Sequence, residues 1–219
     1  MNRSAGPGYI FHHIPKCGGS SINKVVQLWF EQIRDYRSGF NKDYANFIDI
    51  DTLSSDQCLC GHWELDGFYL HQRYPQAYNQ DKFRVFSFVR DPLQTRQSLF
   101  RFEVKYNRNK GTSYRTHLLS RPNWLAQRFP VTIDNYQEFL NQYFFIGILE
   151  RGQESLDTLA KMIGKPSVTL PRENVTIAGE EASLSDEFIE EFKEANRLDY
   201  AIYDYCLERF EDLLVQESD

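Results

Sequence analysis

Three parts of the sequence combine residue types and spacings that could do chemistry. The first is Pro15-Lys16-Cys17-Gly18-Gly19-Ser20-Ser21. Adjacent glycines let a backbone approach an anion closely, and loop amides with a helix N-terminus behind them present positive partial charge. Lys16 adds a full charge, and Ser20 and Ser21 add hydroxyl donors. This is the chemistry of phosphate binding. It is not a Walker A loop, which needs Gly-Lys-Ser/Thr at the helix start, because here Lys16 precedes the glycines. The plainer alternative is a strand-to-helix turn with no ligand. The second part is Val89-Arg90-Asp91-Pro92-Leu93-Gln94-Thr95-Arg96-Gln97-Ser98. Arg90 falls at a strand end and Ser98 about two helical turns further on, so an Arg fork and a hydroxyl could hold a second phosphate. The ordinary reading makes Asp91 a helix cap and places Arg96 in a surface ion pair. The third part is the set of five histidines. An imidazole is suited to take a hydroxyl proton near neutral pH. His62 has Glu64 and Asp66 close in sequence as alternative bases or orienting groups. His12 and His13 precede the loop, one pointing into the sheet and the other outward, with His13 the weaker candidate base. His71 and His117 read as surface residues.

The elements that must position these residues follow from periodicity. Tyr9 to Ile14 reads as a strand rich in aromatic and β-branched residues. Pro15 to Gly19 is a loop, and Ser20 or Ser21 can cap a helix whose apolar face is Ile22, Val25, Val26, Trp29, Phe30 and Ile33. Residues 37–57 are polar and mixed, with Tyr44, Phe47, Ile48 and Ile50 as anchors. Cys58 to Trp63 reads as a short buried strand, and Phe83 to Arg90 as the clearest strand. Asp91-Pro92 opens a helix running to about Tyr106. Residues 107–130, with Gly111, Pro122 and Pro130, read as a long irregular insert of the kind that often carries substrate contacts. Tyr143 to Leu149 is a further strand and Glu154 to Ile163 a helix. Two more helical patterns follow, one through Leu184, Phe188, Ile189 and Phe192, the other from Ile202 to Leu214. Strands alternating with helices predict an α/β fold: one domain over residues 1–219, with a central parallel sheet flanked by helices and a P-loop-like strand–loop–helix phosphate site.

Composition bounds the partners. The chain is 41% hydrophobic and 15% aromatic, which is globular composition. No apolar run approaches the ~20 residues of a membrane helix, and the first residues lack the apolar core of a signal peptide. A cytoplasmic location is the expectation, with a membrane anchor outside this sequence left open. Cys58-Leu59-Cys60 has no second pair, which argues against structural zinc. Reduced thiols suit a cytoplasmic chain better than a disulfide. The net charge of −6 hides an asymmetry: residues 82–128 hold eleven basic and two acidic side chains. That segment faces anions or is a solvated surface. No nucleic-acid-binding motif accompanies it.

Taken together, His-Ile-Pro-Lys-Cys-Gly-Gly-Ser-Ser and Phe-Val-Arg-Asp-Pro-(x)₃-Arg-x-Ser resemble the sulfotransferase family, in the branch similar to heparan sulfate 2-O-sulfotransferase. The resemblance implies that Lys16, Cys17, Gly18, Gly19, Ser20 and Ser21 hold the 5′-phosphosulfate of 3′-phosphoadenosine-5′-phosphosulfate. It implies that Arg90 and Ser98 hold the 3′-phosphate, and that adenosine 3′,5′-bisphosphate is the product, with no metal required. Family members often carry Thr where Cys17 stands, a minor change if the backbone amide does the binding. Phe145 to Glu150 with the helix after Glu154, and Tyr200 to Phe210, resemble the family's third strand and C-terminal helix. The branch has a His-x-His between the two phosphate motifs; here the stretch is Cys60-Gly61-His62, so only His62 stands as the implied catalytic base, with Lys16 as the second catalytic residue. The implied acceptor is a hydroxyl, with an acidic glycan as the candidate class. The competing readings are a P-loop nucleotide kinase or NTPase, favoured by the strand–loop–helix alone, and a non-catalytic nucleotide-binding protein.

Overall fold

A computed structural model describes residues 6–35, 47–171 and 184–216. Its frame is a five-stranded sheet in the order β2-β3-β1-β4-β5. The strands are β1 (Gly8–His12), β2 (Glu31–Asp35), β3 (Gln57–Gly61), β4 (Phe83–Val89) and β5 (Phe145–Ile148). Every pairing is parallel. A parallel sheet needs crossovers that cover its faces. The longer helices supply them: α1 (Gly19–Trp29), α3 (Pro92–Lys105), α6 (Gly152–Met162), α7 (Asp186–Ala195) and α8 (Arg197–Gln216), with short α2 (Leu70–Arg73), α4 (Tyr114–Leu119) and α5 (Tyr136–Leu140) in the connections. The central strands β1, β4 and β5 are buried along nearly their whole length, as expected of strands covered on both faces. The core runs from Ile22, Val25 and Val26 of α1 through the sheet to Leu156 and Leu159 of α6 and Ile202 and Phe210 of α8.

Register decides what meets what. His12 lies opposite Gly61 of β3 on one side and opposite Ser87 of β4 on the other. The residues just beyond these three strand ends therefore share one edge of the sheet: His13 and the glycine loop in the middle, His62 to one side, Arg90 to the other. Ligands of open parallel sheets bind at this carboxyl edge.

Five expectations are corrected. The first helix does not extend to Ile33. It ends at Trp29, Phe30 turns extended with φ −142°, and Ile33 belongs to β2, an edge strand pairing with β3. Glu-Gln-Ile-Arg-Asp has one β-branched residue and no alternation, because an edge strand is held by its ladder rather than by a buried apolar face. The insert at 107–130 is not irregular surface. Ser113 accepts a hydrogen bond from the Thr116 amide to cap α4, and Leu118, Trp124, Leu125 and Phe129 are buried. Asp199 of α8 accepts hydrogen bonds from the Leu125 and Ala126 amides at 2.8 Å each, and Asn196 accepts one from the Asn123 amide at 2.9 Å. Arg96 is in no surface ion pair: it is 1% exposed and donates to the carbonyls of His117 and Leu118. His117 is likewise buried, paired with Glu103 at 2.9 Å, and His71 is half-buried. Tyr44 lies outside the described residues.

His12 and His13 take opposite sides, as alternation in a strand requires. The His12 ring packs among Trp63, Phe129 and Tyr143, and its Nδ1 lies 2.7 Å from the Tyr143 hydroxyl. Burial, aided by His62, pushes its pKa down to about 3 from an ordinary 6.5. A neutral buried histidine stabilises the fold fully above pH 6.5, and that contribution is lost as pH falls toward 3. His12→Asn keeps a polar group at Tyr143 but cannot ionise. Urea unfolding measured between pH 7 and 4 should show a shallower loss of stability in this variant than in the wild type.

Candidate active site

The loop is built by two backbone features. Lys16 and Gly18 both adopt left-handed φ, 68° and 80°. For lysine that conformation is uncommon and costs about 1–3 kcal/mol, the kind of strain held at functional sites. Gly19 is fixed by close approach: a Cβ there would overlap His13 Nε2, so only glycine lets the ring lie against the loop. Helix α1 then starts with no side-chain cap. The Ser21 and Ile22 amides both bond the Gly18 carbonyl. Among the described residues, the amides of Gly18, Gly19 and Ser20 donate to no protein acceptor. Three unfilled donors at the N-terminus of an 11-residue helix are an arrangement that can cradle an anion.

One cleft at the carboxyl edge brings the sequence-predicted residues together. Lys16, Gly18, Gly19, Ser20 and Ser21 line it, and so do Arg90 and Ser98 from the other motif. His13, Leu149, Leu170 and Pro171 complete the wall. Lys16 Nζ sits 4.3 Å from the centre of the Phe102 ring. Burial, followed by the charges of Arg90 and Lys105, lowers the Lys16 pKa. An anion placed among these cations would relieve that repulsion. Arg90 is oriented by Gln94, to which its Nη2 donates at 3.2 Å, and by Glu150, whose carboxylate is 3.8 Å from its Nε. Glu150 is itself held by the Asp91 amide at 3.1 Å and the Tyr203 hydroxyl at 3.2 Å. Asp91 caps α3 by accepting from the Gln94 amide, as read from the sequence.

Two of the nominated residues stand apart from the cleft wall. Cys17 is 1% exposed, with its side chain turned inward against Thr95 and the Arg90 backbone and its amide bonded to Ile14. Burial pushes the thiol up to about 12, so Cys17 offers the cleft neither a thiolate nor a hydroxyl-like donor. All four cysteines are free and buried. His62 is half-buried and meets the cleft through His13: its Nε2 is 3.0 Å from His13 Nδ1, with the two rings edge to face. A second histidine thus does stand beside His62, from the end of β1 rather than from position 60. In sequence His13 carried little weight; the signal that finds it is the β1–β3 register, which sets residues 13 and 62 side by side. Burial lowers the pKa of both, most strongly for His13, where His62, His12 and Lys16 add to the effect; Glu64 partly offsets it for His62. Both imidazoles are thus neutral near pH 7, the state in which one can accept a proton.

Among the described residues no helix is long and apolar enough to cross a membrane. No protein-family model matches the chain, and no curated protein matches it in sequence. Among solved structures, a sulfotransferase from Alicyclobacillus acidocaldarius aligns over 91% of this chain and 95% of its own, with a TM-score of 0.56 at 14% identity. The chain therefore shares the overall α/β fold of that sulfotransferase, the five parallel strands and the covering helices included.

Proposed function

We propose that the chain is a sulfotransferase that moves a sulfuryl group from 3′-phosphoadenosine-5′-phosphosulfate to an acceptor hydroxyl. The observation that carries the reading is the convergence of two anion-holding motifs, some seventy residues apart in sequence, on one cleft wall. A donor with phosphates at both ends of its nucleoside needs two such elements, and a single phosphate loop would not. The likeness in fold to a sulfotransferase supports the same reading.

The residues present fit that donor: three unfilled amides, Lys16 and the hydroxyls of Ser20 and Ser21 at one end, Arg90 and Ser98 at the other. When bound, the donor supplies an activated sulfuryl group on a good leaving phosphate. The protein's work is then positioning and charge. The loop amides orient the anion. Lys16 offsets the charge that grows on the bridging oxygen. His62 removes the acceptor proton. His62→Ala should lower kcat by about 10²–10³-fold with little change in donor affinity. Because burial holds the His62 pKa below 6.5, wild-type activity should persist below that pH and fall only as the medium becomes more acid. A pH–rate profile checks both statements.

The acceptor we assign is a carbohydrate hydroxyl. The basic surplus of residues 82–128 supports an acidic glycan less than its size suggests. Arg96 is internal, Arg121 is paired with Glu103, and Arg128 with Glu64. Thermal protection tests the donor assignment. Adenosine 3′,5′-bisphosphate at a hundred times its Kd should add about 2.7 kcal/mol, a shift of several degrees. Protection by magnesium ATP alone would favour a nucleotide kinase instead.

A further inference from the structure

The chain of amides behind His13 has a direction. Arg34 Nε donates to Gln32 Oε1 at 2.9 Å, and Gln27 Nε2 donates to the same atom at 3.1 Å. An arginine cannot accept a hydrogen bond, so the Gln32 atom facing it must be the oxygen. That leaves the Gln32 amide nitrogen to donate to Asn23 Oδ1, at 2.8 Å. Asn23 in turn presents its own nitrogen to His13 Nδ1, at 3.2 Å. Each amide has one donor end and one acceptor end, so fixing the first fixes them all. The consequence at the end of the chain is that His13 Nδ1 is an acceptor.

We infer that Arg34, Gln32 and Asn23 are positioning residues that hold neutral His13 as its Nε2–H tautomer, so that the ring donates a hydrogen bond to an anion in the loop. The location of Nε2 supports the second half of the statement. His13 lines the cleft, and Nε2 is the atom that a Cβ on Gly19 would overlap, so it lies against the anion cradle. A lone pair at that position would repel a phosphosulfate, whereas an N–H adds a donor beside the three loop amides. The same assignment constrains His62. With His13 Nδ1 an acceptor, its 3.0 Å contact to His62 Nε2 is a hydrogen bond only if His62 carries its proton on Nε2, the one Nδ1 lone pair then being shared between His62 and the Asn23 amide at 3.2 Å. The unprotonated nitrogen of neutral His62 is then Nδ1. The inference rests on the sulfotransferase reading for the identity of the anion, but the tautomer does not depend on it.

The groups facing His13 include His12 on its own strand, Lys16 in the loop, His62 after β3 and Asn23 on α1. A carboxylate facing Nδ1 would draw the proton there. Asn23→Asp supplies one at the same position while still accepting from Gln32. Proton–nitrogen correlation spectra of histidine-labelled full-length protein, with His13 assigned from a His13→Gln variant, read which ring nitrogen is protonated. Wild-type His13 should carry its proton on Nε2. Asn23→Asp should move it to Nδ1, and adenosine 3′,5′-bisphosphate binding should then weaken about tenfold at pH near 8 and recover as the ring becomes doubly protonated in acid. An Nδ1–H signal in the wild type overturns the inference, as does an unchanged tautomer in Asn23→Asp. If that variant does not fold, the wild-type spectrum alone decides. The correct tautomer with no bisphosphate binding would leave the relay standing and remove the proposed donor.

Discussion

Lys16→Ala is expected to lower kcat by about 10²–10³-fold and leave the folded state at least as stable as the wild type. The two halves of this result come from the same geometry. Lys16 is half-buried with a lowered pKa, set first by desolvation and then by the positive charges of Arg90 and Lys105. Holding a cation there costs the resting protein, and its left-handed backbone adds strain. Neither cost is recovered by a salt bridge: among the described residues the partner of the Lys16 ammonium is the face of Phe102. Truncation removes the electrostatic cost and should not destabilise the fold. Turnover is expected to differ, because in the proposed transfer negative charge grows on the bridging oxygen, where a cation placed in advance is worth several kcal/mol. Kinetics with saturating donor, alongside thermal melts, separate the two. A destabilised Lys16→Ala protein would mean that Lys16 is structural.

Asp35→Ala is expected to cost about 3–5 kcal/mol of folding free energy. Asp35 ends the edge strand β2, and its carboxylate accepts four hydrogen bonds. Arg73 gives two, at 2.7 and 2.9 Å, the Trp63 indole one at 2.9 Å and the Tyr74 hydroxyl one at 2.7 Å. All four residues are buried. Burial alone would raise the Asp35 pKa, but donation from Arg73, Trp63 and Tyr74 outweighs it and holds the carboxyl below 3.8. The stabilisation is therefore present above the unfolded pKa and is lost as pH falls through the lower folded value. Removing the carboxylate takes two charge-assisted hydrogen bonds from the buried Arg73 guanidinium and one each from the buried Trp63 and Tyr74 donors, a costly way to break a buried pair. Denaturant unfolding of Asp35→Ala measures the loss. Asp35→Ala with Arg73→Met should recover part of it, because the second change removes the buried charge that the carboxylate had balanced. No recovery would show that the pair is not the unit.

How much of this was legible in sequence depends on what each residue answers to. The placement of the glycine loop, Arg90 and Ser98 on one cleft was readable because its signals are local: adjacent glycines mark a tight loop after a strand, and a strand end followed by Asp-Pro opens a helix. The strands β1, β4 and β5 announced themselves through short stretches rich in aromatic and β-branched residues. β2 did not, since Glu31 to Asp35 has no periodicity and becomes a strand only through its ladder with β3. The insert after Asn107 misled because Gly and Pro mark turns, whereas its burial comes from Asp199 and Asn196, some seventy residues away. His13 and Arg96 were undervalued for the same reason. A histidine's partner across a sheet and an arginine's fit among carbonyls are set by register and packing, neither of which a single sequence spacing encodes. Cys17 was placed in the right loop, but its side chain points into the core, a direction that the residue type left open.

The most direct measurement is transfer of labelled sulfate. The protein would be incubated with labelled 3′-phosphoadenosine-5′-phosphosulfate and a panel of carbohydrate hydroxyl acceptors, and the products read by mass spectrometry. The account predicts sulfate on an acceptor hydroxyl, release of adenosine 3′,5′-bisphosphate in equal amount, and loss of both in Lys16→Ala. Wild-type rates in Lys16→Ala, or magnesium-dependent phosphoryl transfer from ATP with no binding of the bisphosphate, would contradict it.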